Sequence, residues 1–259
     1  MADASGPLSP PVPEAFVLAA VNPLAVAHRG DPVGHRENTV AAVVAAIEQG
    51  ADAIEVDVQL AADGTVVVVH DDTFARLWDD PRPVSALTWP EIALLGEGDL
   101  RVPRLAELLE IATDAGVPLV LDQKHAVAAL PALRVVRAAR ADGTAFCGST
   151  EGLLEVREAA PGATIYFNDA GLQLPDVRLL AQLRPQYYNP YYRLLAPATV
   201  DAMATFGIRT CCWTPNTDAE LTLALDLGVD AVMTDRVGPL RTILADRAGS
   251  RAVLAGRRG

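Results

Sequence analysis

Ala51–Asp71 reads ADAIEVDVQLAADGTVVVVHD, and the fold turns on how this stretch is paired. Ile54 to Leu60 alternates like a strand, Ala-Asp-Gly is a turn signal, and Thr65 to Val69 is a β-branched run ending at His70-Asp71. Asp63-Gly64 is the dipeptide favoured by a two-residue type I′ hairpin, in which both central residues need positive φ. A hairpin closed there places His70 directly opposite Asp57. Side chains alternate faces along a strand and cross-strand partners share a face. Glu55, Asp57 and His70 are therefore expected on one surface, and Ile54, Val56 and Val58 on the other. Taken alone, the acidic side also fits the solvated face of an edge hairpin. The rest of the chain decides between the two.

With 259 residues and 51% hydrophobic content, the chain can bury one large core or two ordinary ones. A net charge of -12 argues against nucleic acid or an anionic membrane surface as a partner. It also means that an anionic small-molecule substrate needs local positive charge, from a metal or a few placed basic residues. Cys147, Cys211 and Cys212 form neither a disulfide framework nor a CxxC zinc pattern. The first residues lack a basic segment, Asn22-Pro23 breaks the apolar run before Ala27, and no run reaches the ~20 residues that span a bilayer. The expectation is a soluble cytoplasmic protein with no stable membrane insertion. Positive charge is almost all arginine; the single lysine, Lys124, points to a place that needs an ammonium.

In chain order, residues 1–22 read as a proline-rich, flexible lead-in, 23–250 as one catalytic domain and 251–259 as a tail. Strands are expected near residues 24, 54, 118, 145, 163, 186, 208 and 231, with the hairpin return at 65–69 as an extra. Helical patterns fall at 38–50, 88–95, 105–115, 126–141, 151–160, 175–183, 197–206 and 217–228, and a last helix begins near Pro239. Eight βα units of this rhythm predict an α/β fold, a (β/α)₈ TIM barrel with a β-hairpin extension after the second strand. A doubly wound open sheet is the alternative, but no G-x-G-x-x-G follows the first strand.

In such a barrel the strand ends carry the active site. Here they deliver His28-Arg29, Glu55, Asp57, His70, Asp122-x-Lys124, Trp213-Thr214 and Thr234-Asp235. This set suits phosphoryl transfer to water. Glu55, Asp57 and Asp122 are hard oxygen ligands fit for Mg²⁺ or Ca²⁺, and no accompanying cysteine or HxxxH pair suggests zinc. Arg29 and Lys124 can neutralise phosphate oxygens. His28 and His70 can serve as acid and base, since imidazole titrates near neutrality. No G-x-S-x-G elbow supports acyl transfer.

His28-Arg29-Gly30, Glu37-Asn38-Thr39, Ile54-Glu55-Val56-Asp57-Val58, Asp63-Gly64, His70-Asp71, Asp122-x-Lys124, Trp213-Thr214-x-Asn216 and Thr234-Asp235 resemble, in order and spacing, the glycerophosphodiester phosphodiesterase family. The resemblance runs from about residue 24 to 240. It implies a metal-dependent barrel enzyme that hydrolyses a glycerophosphodiester to an alcohol and sn-glycerol 3-phosphate. By motif position, His28 and His70 would be the acid/base pair. Glu55, Asp57 and Asp122 would be metal ligands, and Arg29 and Lys124 phosphate contacts. Trp213 would form a wall of the glycerol pocket, with Glu37 a supporting hydrogen-bonding residue. The sequence departs from the family where a glutamate usually provides the third ligand: Asp122 is shorter by one methylene. Arg104 stands where the family usually has threonine and reads as a surface change.

Two other readings fit the same residues. One is a related barrel lipase or lyase acting on intact lipid, which should carry an exposed apolar rim. The other is an inactive barrel that binds a phosphorylated ligand. Intact His28 and His70 favour catalysis.

Overall fold

Strand propensity places the eight barrel strands as the patterning predicts. The computed structural model describes residues 22–171 and 173–256; the expected lead-in lies almost entirely outside them. In chain order the strands are Leu24–His28 (β1), Ala53–Leu60 (β2), Val66–Val68 (β3), Thr73–Phe74 (β4) and Asp80–Pro83 (β5). They continue with Leu119–Gln123 (β6), Ala145–Gly148 (β7), Thr164–Asp169 (β8), Tyr187–Pro190 (β9), Arg209–Thr210 (β10) and Ala231–Thr234 (β11). Eight of these, β1, β2 and β6 to β11, run parallel in the order β10-β9-β8-β7-β6-β2-β1-β11. Between β10 and β11 the ring is drawn together by the Trp213–Met233 bridge and by Met233 N–H donating to the Cys212 carbonyl at 2.8 Å. The result is a nearly closed (β/α)₈ barrel with helices between the strands.

β2 shows why the chain closes. Ile54, Val56 and Val58 pack outward into the large core shared with the helices, and Glu55 and Asp57 point inward at only 2% and 7% exposure. Both faces are covered, as in a parallel barrel and unlike an edge hairpin. An inner layer of Val26, Val120, Cys147, Tyr166, Tyr187 and Met233 fills the barrel, with Tyr166 and Tyr187 stacked at 4.1 Å. All three cysteines are free and buried within these layers.

The hairpin register differs from the expectation. Val58, Gln59 and Leu60 pair with Val68, Val67 and Val66, one residue short of the expected alignment. Only Gly64 adopts a left-handed φ, +83°, while Asp63 Oδ1 accepts from Thr65 N–H at 3.0 Å. Gly64 N–H closes on the Ala61 carbonyl, and Ala61 N–H bonds the Thr65 carbonyl. The loop is thus a three-residue turn, not type I′. Val69, not His70, lies across from Asp57, its N–H donating to the Asp57 carbonyl at 2.9 Å. His70 is carried back to the barrel mouth by another device. The buried Gln59 amide donates to the carbonyls of Val69, His70 and Asp71 at 3.1, 3.0 and 2.8 Å, clamping the chain as it leaves the ladder.

The stretch after the hairpin is richer than its sequence suggests. β4 and β5 form a small antiparallel ribbon, and the helix expected over 88–95 contracts to Trp89–Ile92 before Gly96 turns the chain at φ +82°. Phe74, Val84, Leu87, Ile92 and Val102 pack on Val67 and Val69 as a satellite core, so this segment buttresses the hairpin. The last helix, Val237–Gly256, continues into the expected tail. Among the described residues no helix is long and apolar enough to cross a membrane.

Candidate active site at the barrel mouth

A cavity of about 370 Å³ opens at the C-terminal ends of the strands. His28, Arg29, Glu55, Asp57, His70, Asp122, Lys124 and Trp213, all singled out from the sequence, line it together. Glu37 sits behind Arg29, outside the lining. Gly148, Ser149, Asn168, Asn189 and Met233 complete the wall.

Glu55 and Asp57 on β2 and Asp122 on β6 each bring one carboxylate oxygen within 4.8 Å of the others. Burial pushes the Glu55 carboxyl well above the usual range, and the charges of Asp57 and Asp122 push it further, against Arg29. Burial, then Asp57, raises Asp122 to about 6. Asn38 fixes Asp57 from both sides: its amide donates to Oδ2 at 2.7 Å and its carbonyl accepts from the Asp57 N–H at 3.1 Å. Three converging hard donors, with the Asp57 charge raising both Glu55 and Asp122, form a site suited to a divalent cation. The residues present therefore fit such an ion.

Arg29, held at φ +58°, donates its backbone N–H to Glu55 Oε2 at 3.0 Å and Nη1 to Glu37 Oε1 at 3.1 Å. Its Nε lies 3.1 Å from Asp57 Oδ2, yet the N–H is not aligned for a hydrogen bond and has no hydrogen-bond partner among the described residues. Burial works against its charge, but Asp57, Glu55 and Glu37 outweigh that and hold it firmly protonated. Glu37 is shared with Arg76, whose Nη2 donates to Oε1 at 2.5 Å and whose Nε donates to Asp71 Oδ2 at 2.5 Å. Asp71 Oδ1 in turn meets His70 Nδ1 at 2.7 Å. One ionic chain thus ties Arg29 to His70. The Arg76 hydrogen bond, opposed by burial and aided by His70, lowers Asp71 to about 2.

Each histidine is oriented through Nδ1. His28 Nδ1 lies 2.6 Å from Asp235 Oδ1, and Asp235 is fixed by Asn216, which donates to Oδ2 at 2.5 Å and accepts from the Asp235 N–H at 3.0 Å. An ionised carboxylate only accepts, so Nδ1 carries the proton in both rings and Nε2 is left free. His28 Nε2 lies 4.0 Å from Glu55 Oε2, beside the carboxylate cluster.

Lys124 reaches the rim half-exposed, with Nζ 3.0 Å from Asp72 Oδ1, an oxygen that His125 Nε2 also approaches at 2.9 Å. Trp213 donates Nε1 to the Asn189 carbonyl at 3.0 Å and packs on Tyr191 at 5.4 Å. No individual role was assigned from the sequence to Asn38, Asp71, Arg76, Asn168, Asn189 or Asp235, although Asn38, Asp71 and Asp235 stand in the motifs quoted above. Asn168 and Asn189 lie at or near the ends of apolar strands, and Asn38 precedes the residue that actually caps the first helix, Thr39, whose side chain accepts from Ala42 N–H.

The family model for the glycerophosphoryl diester phosphodiesterase family matches residues 28–239. The chain belongs to this family. A glycerophosphodiester phosphodiesterase of Caldanaerobacter subterraneus subsp. tengcongensis is 28% identical over 228 residues, covering 82% of this chain and 93% of that relative. The crystal structure of a glycerophosphodiester phosphodiesterase from Parabacteroides distasonis superposes with a TM-score of 0.79 at 23% identity, over 88% of this chain and 98% of that one. A phosphodiesterase of Oleispira antarctica, determined in complex with the product sn-glycerol-3-phosphate, gives 0.77 at 22% identity, over 86% and 97%. These two structures share the barrel. The matched span contains every residue that lines the cavity.

Proposed function

We propose that this phosphodiesterase-family barrel hydrolyses glycerophosphodiesters to an alcohol and sn-glycerol 3-phosphate, with Mg²⁺ or Ca²⁺ held by Glu55, Asp57 and Asp122. The observation that carries the reading is the pair of carboxylate-anchored histidines, His28 and His70, facing one cavity around three converging carboxylates. When bound, the ion supplies charge neutralisation on the phosphate.

The chain's own residues do the rest. Arg29 and Lys124 draw the diester into the cavity and balance its negative charge. One histidine accepts a proton from water through its free Nε2 as the water oxygen bonds to phosphorus. The other, protonated, gives its Nε2 proton to the departing alkoxide as the P–O bond breaks. Asp71 and Asp235 hold the rings in position and stabilise the imidazolium forms. Trp213 walls the glycerol portion, and Glu37 keeps Arg29 directed at the phosphate.

A coupled assay for glycerol 3-phosphate release tests this, using glycerophosphocholine and glycerophosphoethanolamine with metal-stripped protein and with Mg²⁺ or Ca²⁺ restored. Metal-restored release is expected. No release from folded protein under any of these conditions would overturn the assignment.

A further inference from the structure

Gln59, Leu60, Asp72, Pro83, His125 and Val127 line a second cavity of about 230 Å³ beside the first. The two meet at an ion pair. Lys124 lines the catalytic cavity, Asp72 lines the second, and Lys124 Nζ lies 3.0 Å from Asp72 Oδ1. His125 Nε2 approaches the same oxygen at 2.9 Å, and among the described residues Asp72 Oδ2 receives no hydrogen bond. The two side chains of the pair are 47% and 56% exposed, so an incoming group can reach either one and the pair parts at little cost. Leu60, Pro83 and Val127 give the rest of the cavity an apolar wall.

Strand order sets which end of a diester meets this cavity. Trp213, the wall proposed for the glycerol portion, follows β10, and Lys124 follows β6. Those strands stand four places apart in an order of eight, on opposite sides of the ring. A diester with its glycerol against Trp213 therefore sends its other alcohol toward the Lys124–Asp72 pair. Phosphate binding then changes the charge balance there. Once Lys124 turns its ammonium to the phosphate, Asp72 keeps only the half-exposed His125. We infer that Asp72 receives the cation of a positively charged leaving alcohol, and that the second cavity is the subsite for amino and quaternary-ammonium alcohols. A zwitterionic diester thus exchanges ion pairs with the protein, its phosphate taking Lys124 and its ammonium taking Asp72. The inference rests on the proposed hydrolysis and adds selectivity for the departing group.

The test measures kcat/KM with Mg²⁺ for glycerophosphoethanolamine and glycerophosphoethanol, diesters that differ by the ammonium, in wild type and in Asp72→Asn. Asparagine keeps an acceptor for Lys124 and His125 and removes the charge. Comparing the variant's ratio of the two substrates with that of wild type cancels the unequal leaving tendencies of the alcohols. It also cancels any effect on Lys124 that both substrates share. An exposed pair has modest worth, so at low salt the ratio should fall roughly threefold to fivefold in the variant. A ratio that stays at the wild-type value or rises overturns the inference. An equal loss for both diesters is one such result, and would mean that Asp72 acts only through Lys124. Release of glycerol 3-phosphate from neither diester overturns the hydrolysis reading and this inference with it, so the two failures are told apart.

Discussion

In the proposed ion site Asp122 should make binding sensitive to pH, and its surroundings set the range. Gly148 leaves it room: a Cβ there would lie 2.6 Å from Oδ1, while Asn168 holds Oδ2. In this pocket, burial and the charge of Asp57 raise the carboxyl from its ordinary 3.8 to about 6. An ion needs the ionised form, so below about pH 6 the proton competes and apparent affinity should fall roughly tenfold per pH unit. In the ion-free protein the sign reverses. A carboxyl whose folded pKa lies above its unfolded one loses stability as pH rises from about 4 through about 6, to a full cost of about 3 kcal/mol. Glu55 acts in the same sense. Mg²⁺ calorimetry across this range should give a Kd that weakens as pH falls from 7 to 5. The thermal stabilisation from saturating Mg²⁺ should be larger at pH 7 than at pH 5. A Kd equal at pH 5 and pH 7 would rule out ionised Asp122 as a ligand.

His28→Ala and His70→Ala should each lower turnover by at least ~10²-fold while circular dichroism stays unchanged, and a near wild-type rate in either would break the acid/base assignment. Gly148→Ala should destabilise the fold and weaken Mg²⁺ binding, because φ is +104° and the added methyl would meet the Gln123 carbonyl at 2.5 Å; urea denaturation and ion titration check both effects. Arg157 is buried and donates to the carbonyls of Leu183, Pro161 and Arg184, so Arg157→Ala should cost roughly 2–4 kcal/mol in chemical denaturation with the active site untouched.

The barrel was legible because its strands are short apolar runs at steady spacing, and Glu55 and Asp57 were legible because alternation fixes their face. The hairpin register was not. Asp-Gly fits two turn types, and the choice depended on Asp63 spending its side chain on Thr65 N–H in place of adopting positive φ. His70 still reached the cavity, through Gln59, a polar residue in a buried strand whose partners lie ten to twelve positions away. Arg76 was hidden for a similar reason. Its link to Glu37 spans the chain from the first loop to the short helix after the hairpin, and no local pattern encodes it.

Hydrolysis on the alcohol side of the diester is tested most directly by ³¹P NMR of glycerophosphoethanolamine turnover. With Mg²⁺ or Ca²⁺ present, the diester resonance should be replaced by sn-glycerol 3-phosphate alone, with ethanolamine released. Phosphoethanolamine, a persistent cyclic phosphate, or an unchanged diester signal would contradict the account.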